Sequence, residues 1–170
     1  YSQETVAPGM AELIRPGTRD QDRHDRTRLI HWVDLNRIDS AKVLVVGAGA
    51  LGNEAVKDLA LFGFRFVDVM DMDHVVRSNL SRCVLFREGD QSSGKGKAAL
   101  VAERARELDP DIQVRAIEGK VQSLGPEEMK GYDVILGCLD NVAARLHLNA
   151  NSYHARVPYV DGGTDGFRGR

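Results

Sequence analysis

The sequence is poor in cysteine, has no long apolar run and carries little net charge, and each shortage excludes a class of protein. Its only cysteines are Cys83 and Cys138, without a C-x-x-C pair, which excludes a disulfide scaffold and a cysteine-pair zinc site within this chain. No apolar run approaches the roughly 20 residues that span a bilayer, and the first residues lack a signal-peptide pattern. The formal net charge of -2 gives no reason to expect nucleic acid or a membrane as partner. We therefore expect a reducing, cytoplasmic location.

What the sequence does have is a regular alternation of short apolar runs and amphipathic segments. The predicted strands are residues 42–46, 65–70, 113–117, 133–137 and 156–161, and the predicted helices are residues 26–38, 50–61, 98–108 and 141–154. This alternation indicates an α/β fold, a doubly wound and mainly parallel sheet that binds ligands at the carboxyl ends of its strands. Residues 1–20 are expected to form a polar arm, and residues 21–170 a single domain.

A glycine-rich turn joins the first predicted strand to the following helix. Gly47, Gly49 and Gly52 have G-x-G-x-x-G spacing, which serves a tight turn, close approach of a phosphate and close packing of the helix, in that order. The helix N-terminus offers N–H groups and a positive dipole end to an anion. Asp71, at the end of the second strand, fits an acceptor for ribose hydroxyls. These features suit ATP and NAD alike, so an NAD-dependent oxidoreductase stays an alternative.

Three further motifs occur at the ends of predicted strands or the start of a helix. They are D-M-D-H-V-V-R-S-N-L-S-R at residues 71–82, G-K-G-K-A at residues 94–98 and L-D-N at residues 139–141. In this order they resemble the ubiquitin-activating-enzyme family, which includes the ThiF/MoeB-type bacterial adenylyltransferases of thiamine and molybdopterin biosynthesis. The resemblance covers residues 23–169 and implies a Rossmann-like ATP-binding domain.

The resemblance implies ATP-dependent adenylation of the C-terminal carboxylate of a ubiquitin-like or sulfur-carrier protein that ends in Gly-Gly. In that reaction a carboxylate attacks the α-phosphate of ATP and pyrophosphate leaves. Charge develops on phosphate oxygens, so catalysis depends on positioning and electrostatic stabilisation. Within the same family, a tRNA-modifying dehydratase is the alternative.

The same resemblance assigns roles to residues. Arg82 and Lys97 become the phosphate-facing cations, with Asn79 beside them; Lys95, two residues away, is the competing lysine. Asp140 would hold Mg²⁺, an ion that takes one or two carboxylates together with phosphates and waters. The remaining nucleotide contacts that it implies are Asp73 and Asn141. Asp140 is also a candidate helix N-cap.

Upstream, residues 23–27 resemble the family's R-Y-x-R-Q stretch, in which the second arginine enters the nucleotide site of the partner subunit. The resemblance therefore implies that Arg26 meets the γ-phosphate in trans, within a homodimer or a pseudo-symmetric heterodimer. His24 and Thr27 stand where the family has Tyr and Gln. Cys83 stands where the family has Gln after the arginine, and is either a reactive thiol or a small buried side chain.

Residues 161–169 resemble the family's glycine-rich segment, where the substrate tail enters. The family continues from there with further strands, often with cysteine-pair zinc ligands, and with a thioester-forming cysteine. We therefore expect an adenylation domain that is incomplete at its C-terminal end, with ATP and Mg²⁺ as cofactors and any zinc ligands in a longer protein.

Overall fold

The computed structural model describes residues 22–165 and 168–169, so the predicted polar arm at residues 1–20 lies outside the described part. Its centre is a sheet of five parallel strands in the order β3-β2-β1-β4-β5. The strands are β1 (Lys42–Val46), β2 (Phe66–Asp71), β3 (Gln113–Glu118), β4 (Val134–Gly137) and β5 (Tyr159–Asp161). Two short antiparallel strands follow, β6 (Thr164–Asp165) and β7 (Arg168–Gly169). The predicted doubly wound α/β fold is confirmed.

The helices begin and end at local signals in the sequence. They are α1 (Leu35–Ser40), α2 (Ala50–Phe62), α3 (Lys97–Leu108), α4 (Pro126–Met129) and α5 (Val142–Ala155). Gly63 ends α2 with a φ of 93°, a conformation that glycine adopts without strain.

None of the helices in the described part has the length and apolar composition needed to span a bilayer.

Two apolar layers cover the sheet. In β1, Val43 and Val45 belong to the layer under α2 and α3, whereas Leu44 and Val46 belong to the layer that includes Met129 of α4. These four side chains are at most 1% exposed, as predicted for a strand buried on both faces. Burying each one contributes about 1.5–3 kcal/mol, so the central strand is firmly anchored.

The predicted helix over residues 26–38 is wrong. The structure has a 3₁₀ turn at Thr27–Leu29, and α1 begins only at Leu35. Asp34 is extended, with φ −103° and ψ 99°, and its carboxylate accepts the backbone N–H groups of Asn36 and Arg37. This capping starts a new helix. Trp32, in the middle of the predicted helix, is 77% exposed.

A smaller correction concerns the second half of the sheet. The last predicted strand begins at Tyr159 rather than at residue 156, because Arg156 takes a left-handed conformation that ends α5. The strand predicted at residues 133–137 is observed as Val134–Gly137, and Cys138 directly follows it.

The strand order determines where a ligand can bind. The chain builds β1, β2 and β3 toward one edge of the sheet and then returns to add β4 and β5 on the other side of β1. The direction therefore reverses between β1 and β4, and their carboxyl ends flank a crevice. The glycine-rich turn follows β1, and residues 138–141 follow β4.

Candidate nucleotide-binding site

The glycine-rich turn has the conformation that its glycines predict. Gly47 has a φ of 101°, and a Cβ atom there would lie 2.5 Å from the carbonyl oxygen of Cys138 after β4. A Cβ atom on Gly52 would overlap the carbonyl oxygen of Gly47, so this glycine allows the helix to pack on its own turn. At Gly49 a Cβ atom would meet no other atom of the described residues within 4 Å. This open space is where a phosphate could approach the backbone.

Asp71 ties this turn to the segment that follows β2. One carboxylate oxygen accepts the backbone N–H of Ala48 at 2.7 Å, and the other accepts the N–H of Asp73, also at 2.7 Å. Hydrogen bonds to a charged acceptor are stronger than neutral ones. A carboxylate has further lone pairs for ribose hydroxyls. Asp71 therefore has a structural function in addition to the predicted ribose contact.

The structure distinguishes the two candidate lysines. The side-chain nitrogen of Lys97 lies 3.1 Å from a carboxylate oxygen of Asp73, and the Lys97 side chain is only 12% exposed. Its backbone N–H also donates to the carbonyl of Asp73 at 2.8 Å. Lys95 instead forms an ion pair with Glu103 at 2.6 Å on the surface of α3. Lys97 is thus the lysine that faces the segment after β2.

Asn79 and Arg82 lie in and beside the 3₁₀ turn Arg77–Ser81. Asn79 is 5% exposed, and its side-chain oxygen accepts the N–H of Val76 at 3.0 Å. The exposed guanidinium of Arg82 donates to the carbonyl of Ser78 at 2.6 Å. This short contact holds the arginine against its own turn, so a bound phosphate would have to draw it away or share it.

Cys83 is a buried filler in this structure. Burial raises the pKa of its thiol, while the positive charges of Arg82 and Lys97 act in the opposite direction. Cys83 is 3% exposed, so it lacks the accessibility of a reactive cysteine. Of the two alternatives, the structure therefore favours the small buried side chain.

Asn141 and Asp140 follow β4 and differ in function. The Asn141 side-chain oxygen accepts the N–H groups of Ala143 at 2.9 Å and Ala144 at 3.2 Å, so Asn141 is the N-cap of α5. The exposed Asp140 carboxylate makes no hydrogen bond or ion pair with other described residues. No group of three or more His, Cys, Asp or Glu side chains in the described part could hold a metal. One accessible carboxylate suits Mg²⁺ that arrives with phosphates and waters.

Arg26 is the predicted site residue that the structure does not bring to the crevice. The side chain of Arg23 contacts the carbonyl of Leu108 at 3.0 Å and the carboxylate of Asp109 at 2.8 Å, just past α3. The ring of His24 lies against Gly63, just past α2. Both helices end near the amino-terminal ends of the strands, whereas the crevice lies at the carboxyl ends. The predicted action of Arg26 in trans stays a prediction.

Sequence reasoning missed a polar network at the end of β5. The guanidinium of Arg145 binds both carboxylate oxygens of Asp161, with its Nε 3.0 Å from each, and the Tyr159 hydroxyl donates to the same carboxylate at 2.8 Å. The hydrogen bonds from Arg145 lower the pKa of Asp161. The following glycines fit tightly: a Cβ atom would lie 2.5 Å from Leu51 at Gly162 and 2.8 Å from Arg145 at Gly163.

Asn53 was also missed. It lies in α2 one residue after the glycine motif and is fully buried. Its side chain is hydrogen bonded to Ala48 in the glycine-rich turn and to Leu85 in the segment after β2. The signal in the sequence is an amide side chain on a helix that otherwise buries apolar residues.

A groove in the described part lies away from this site and does not include the predicted residues. It has a volume of about 660 Å³ at the amino-terminal ends of β1, β2 and β3, and Asp68, Arg115 and Tyr132 are among its lining residues. Burial, followed by the hydrogen bond to Asp68, raises the pKa of Tyr132 to about 12. The side chains of Arg115 and Tyr132 in this groove are hydrogen bonded to Asp68. The volume of the groove alone therefore does not identify it as the ligand site.

Residues 22–170 match the ThiF family. The chain belongs to this family. It is 37% identical over 138 residues to SUMO-activating enzyme subunit 2 of Dictyostelium discoideum, covering 80% of this chain and 21% of that protein. It is also 37% identical over 182 residues to the NEDD8-activating enzyme E1 catalytic subunit of Caenorhabditis elegans, covering 97% of this chain and 42% of that protein. The chain thus spans less than half the length of these relatives.

Solved structures of similar fold include two enzymes of E. coli. E. coli tRNA N6-threonylcarbamoyladenosine dehydratase, TcdA, has a TM-score of 0.71 at 27% identity, covering 85% of this chain and 62% of that chain. A structure of the same enzyme in complex with ATP has a TM-score of 0.69 at 26% identity, covering 82% and 59%. E. coli MccB, with AMPCPP and MccA, has a TM-score of 0.75 at 23% identity, covering 86% and 45%, and shows likeness of fold alone.

Proposed function

We propose that the protein carrying this chain adenylates the C-terminal carboxylate of a ubiquitin-like or sulfur-carrier protein, using ATP. The observation that carries the proposal is the arrangement at the crevice of this ThiF-family chain. Gly49 lies in the open turn after β1, and Asp140 is an accessible carboxylate after β4. The mostly buried Lys97 faces the segment after β2. Membership of this family favours ATP over the NAD of the oxidoreductase alternative.

Each residue has a task in the proposed reaction. The phosphates of ATP would lie over Gly49 at the start of α2, with the ribose at Asp71. Lys97 and Arg82 would stabilise charge on the phosphate oxygens as the substrate carboxylate attacks the α-phosphate. A bond then forms between the carboxylate oxygen and the α-phosphorus, and the bond to pyrophosphate breaks. Mg²⁺ bound by Asp140 would neutralise phosphate charge.

The proposed partners extend the same interpretation. Relatives named as SUMO-activating and NEDD8-activating enzymes favour a ubiquitin-like substrate with a Gly-Gly tail. We also propose a two-fold or pseudo-two-fold dimer in which Arg26 reaches the partner's site. Its position near the ends of α2 and α3, away from the crevice of its own chain, supports this part. We also propose that the protein is located in the cytoplasm.

A tRNA-modifying dehydratase is a second candidate function. The likeness to TcdA, at 27% identity over 85% of this chain, favours it. That function would involve the same ATP crevice but a different acceptor of the adenylate.

Pyrophosphate exchange is the test of the proposed function. The protein is incubated with Mg-ATP and labelled pyrophosphate, together with either candidate carrier proteins or tRNA. Exchange stimulated only by a carrier protein supports the main proposal, and stimulation only by tRNA supports the dehydratase. A carrier protein lacking its last two glycines is the matched control. Tight NAD binding without any response to Mg-ATP would overturn both.

The dimer proposal has its own test. Arg26→Ala protein is mixed with Asp140→Ala protein, and exchange activity is measured after subunits have re-assorted. If Arg26 acts in trans, each heterodimer retains one complete site and activity returns to a fraction of the unmodified value. An active Arg26→Ala homodimer contradicts the role.

A further inference from the structure

Asn53 is the fully buried polar side chain nearest to the glycine-rich turn. Its exposed fraction is 0%, and it lies on the inner side of α2, one turn after the helix begins. The side-chain nitrogen donates to the carbonyls of Ala48 and Gly49, each at 2.9 Å. The side-chain oxygen accepts the backbone N–H of Leu85, also at 2.9 Å.

These bonds use the whole hydrogen-bonding capacity of the amide nitrogen. A carboxamide has two N–H donors and an oxygen acceptor, and each of them has a protein partner here. A buried amide is costly unless it is satisfied in this way, and a satisfied one rigidifies its surroundings. Asn53 therefore has no N–H left to bind a nucleotide directly, and any effect on the ligand passes through its partners.

The partners of Asn53 belong to different parts of the site. Ala48 and Gly49 form the turn where the phosphates are proposed to lie. Leu85 is 6% exposed and sits three residues after Arg82, in the segment that also contains Asn79. Thirty-two residues of sequence separate Leu85 from Asn53. One side chain thus connects the backbone of the turn to the segment that supplies the proposed phosphate-binding arginine.

Packing alone does not require an amide at this position. Nearby inward-facing positions of α2 carry Val56 and Ala60, each 0% exposed, so an apolar residue would also fill this layer. An apolar side chain would leave the Leu85 N–H without its Asn53 acceptor. Leaving a buried donor unpaired is more costly than the net gain from an ordinary hydrogen bond.

We propose that Asn53 is a positioning residue, which holds the glycine-rich turn and the Arg82 segment at the spacing that ATP phosphates require. The inference rests on the proposed function, because it assumes that phosphates bind between these two segments. Preorganised groups lose little free energy to rearrangement when ligand charge arrives.

The test compares Mg-ATP binding by calorimetry for the unmodified protein, Asn53→Ala, Arg82→Ala and the double variant. Asn53→Ala is expected to weaken binding about tenfold. The effects of Asn53→Ala and Arg82→Ala should be non-additive, because the first already displaces the arginine. Asn151→Ala is the matched control, since its amide donates to the carbonyl four residues earlier in α5, as Asn53 does in α2, and its binding should be unchanged.

A purely structural Asn53 would give a different result. Thermal unfolding would then occur at lower temperature, while binding per folded molecule and additivity with Arg82→Ala stayed intact, and that outcome overturns the inference. If Asn53→Ala does not fold, Asn53→Ser is measured instead, because serine can bond the Gly49 carbonyl but is too short for Leu85. Failure of the unmodified protein to bind Mg-ATP would overturn the proposed function itself and the inference with it.

Discussion

Two carboxylates follow the strands on either side of β1, and they have opposite surroundings. Asp71, at the end of β2, is half-buried and accepts a backbone N–H on each oxygen. Asp140, just after β4, is exposed and has no hydrogen bond or ion pair within the described residues. The same residue type at the same edge of one sheet is structural in one place and accessible to a ligand in the other.

The difference comes from how the chain leaves each strand. After β2 it runs along the start of α3, where the Lys97 N–H donates to the Asp73 carbonyl and His74 pairs with Gly96. Asp71 therefore receives the N–H of Asp73 on one oxygen and the N–H of Ala48, from the glycine-rich turn, on the other. After β4 it enters α5 within a few residues, and Asn141 takes the capping position. Asp140 is therefore left outside the helix, which shows that the connection decides what a carboxylate does.

Replacement of Asp140 gives the sharpest test of this comparison. Asp140→Asn should reduce adenylation at least about 100-fold, because the carboxylate proposed to hold Mg²⁺ beside the phosphates is lost. The midpoint of thermal unfolding should not change, since the carboxylate has no partner in the described part of the chain. Pyrophosphate exchange and differential scanning calorimetry measure the two effects. A marked fall in thermal stability would show that Asp140 is structural after all.

The next test separates the two lysines. Lys97→Ala should lower adenylation about 100-fold, because it removes a mostly buried cation that is proposed to stabilise charge on the phosphate oxygens. Lys95→Ala, which breaks only the exposed pair with Glu103, should change the rate less than about threefold. The rates are compared at saturating ATP. A larger effect at Lys95 would show that Lys95, and not Lys97, is the phosphate-facing lysine.

Replacement of Asp71 should affect stability as well as binding. Asp71→Asn keeps the shape but places an amide NH₂ against one of two backbone N–H donors, so unfolding free energy should fall by about 1–3 kcal/mol. Mg-ATP binding should weaken as the turn loosens. Urea unfolding monitored by fluorescence measures the first effect, and calorimetry the second. Unchanged stability with weakened binding would make Asp71 resemble Asp140.

The smallest expected effect concerns a third carboxylate at this edge, Asp161. Its pKa is lowered from 3.8, chiefly by hydrogen bonds from Arg145. Because the folded-state pKa is depressed, the ion pair stabilises the fold above the unfolded-state pKa and loses this contribution as pH falls through the folded-state value. The difference in urea stability between the unmodified protein and Asp161→Asn should be constant near neutral pH and shrink below about pH 4. A difference independent of pH contradicts the assignment.

Most of the strands and helices, and the family, follow from local features of the sequence. Strands such as β1 and β4 are apolar runs whose period and flanking glycines are local properties, and Gly47 and Gly63 mark positions that need positive φ. The motifs around Asp71, Arg82, Lys97 and Asp140 resemble those of the ubiquitin-activating-enzyme family, and the match to the ThiF family confirmed the family. The roles of these four residues stay predictions. Local signals failed over residues 26–38, where the capping side chain of Asp34 competed with helical periodicity.

How the site is held together depends on contacts that form only in the folded chain. The bonds of Asn53 to Leu85, of Asp71 to Ala48 and of Arg145 to Asp161 each join residues that are distant in sequence. The contact of Lys97 with Asp73 also depends on how the chain folds. The same is true of the position of Arg26 near the amino-terminal ends of the strands. Propensity and spacing describe short segments, whereas these contacts arise when β2 and β4 pair on opposite sides of β1.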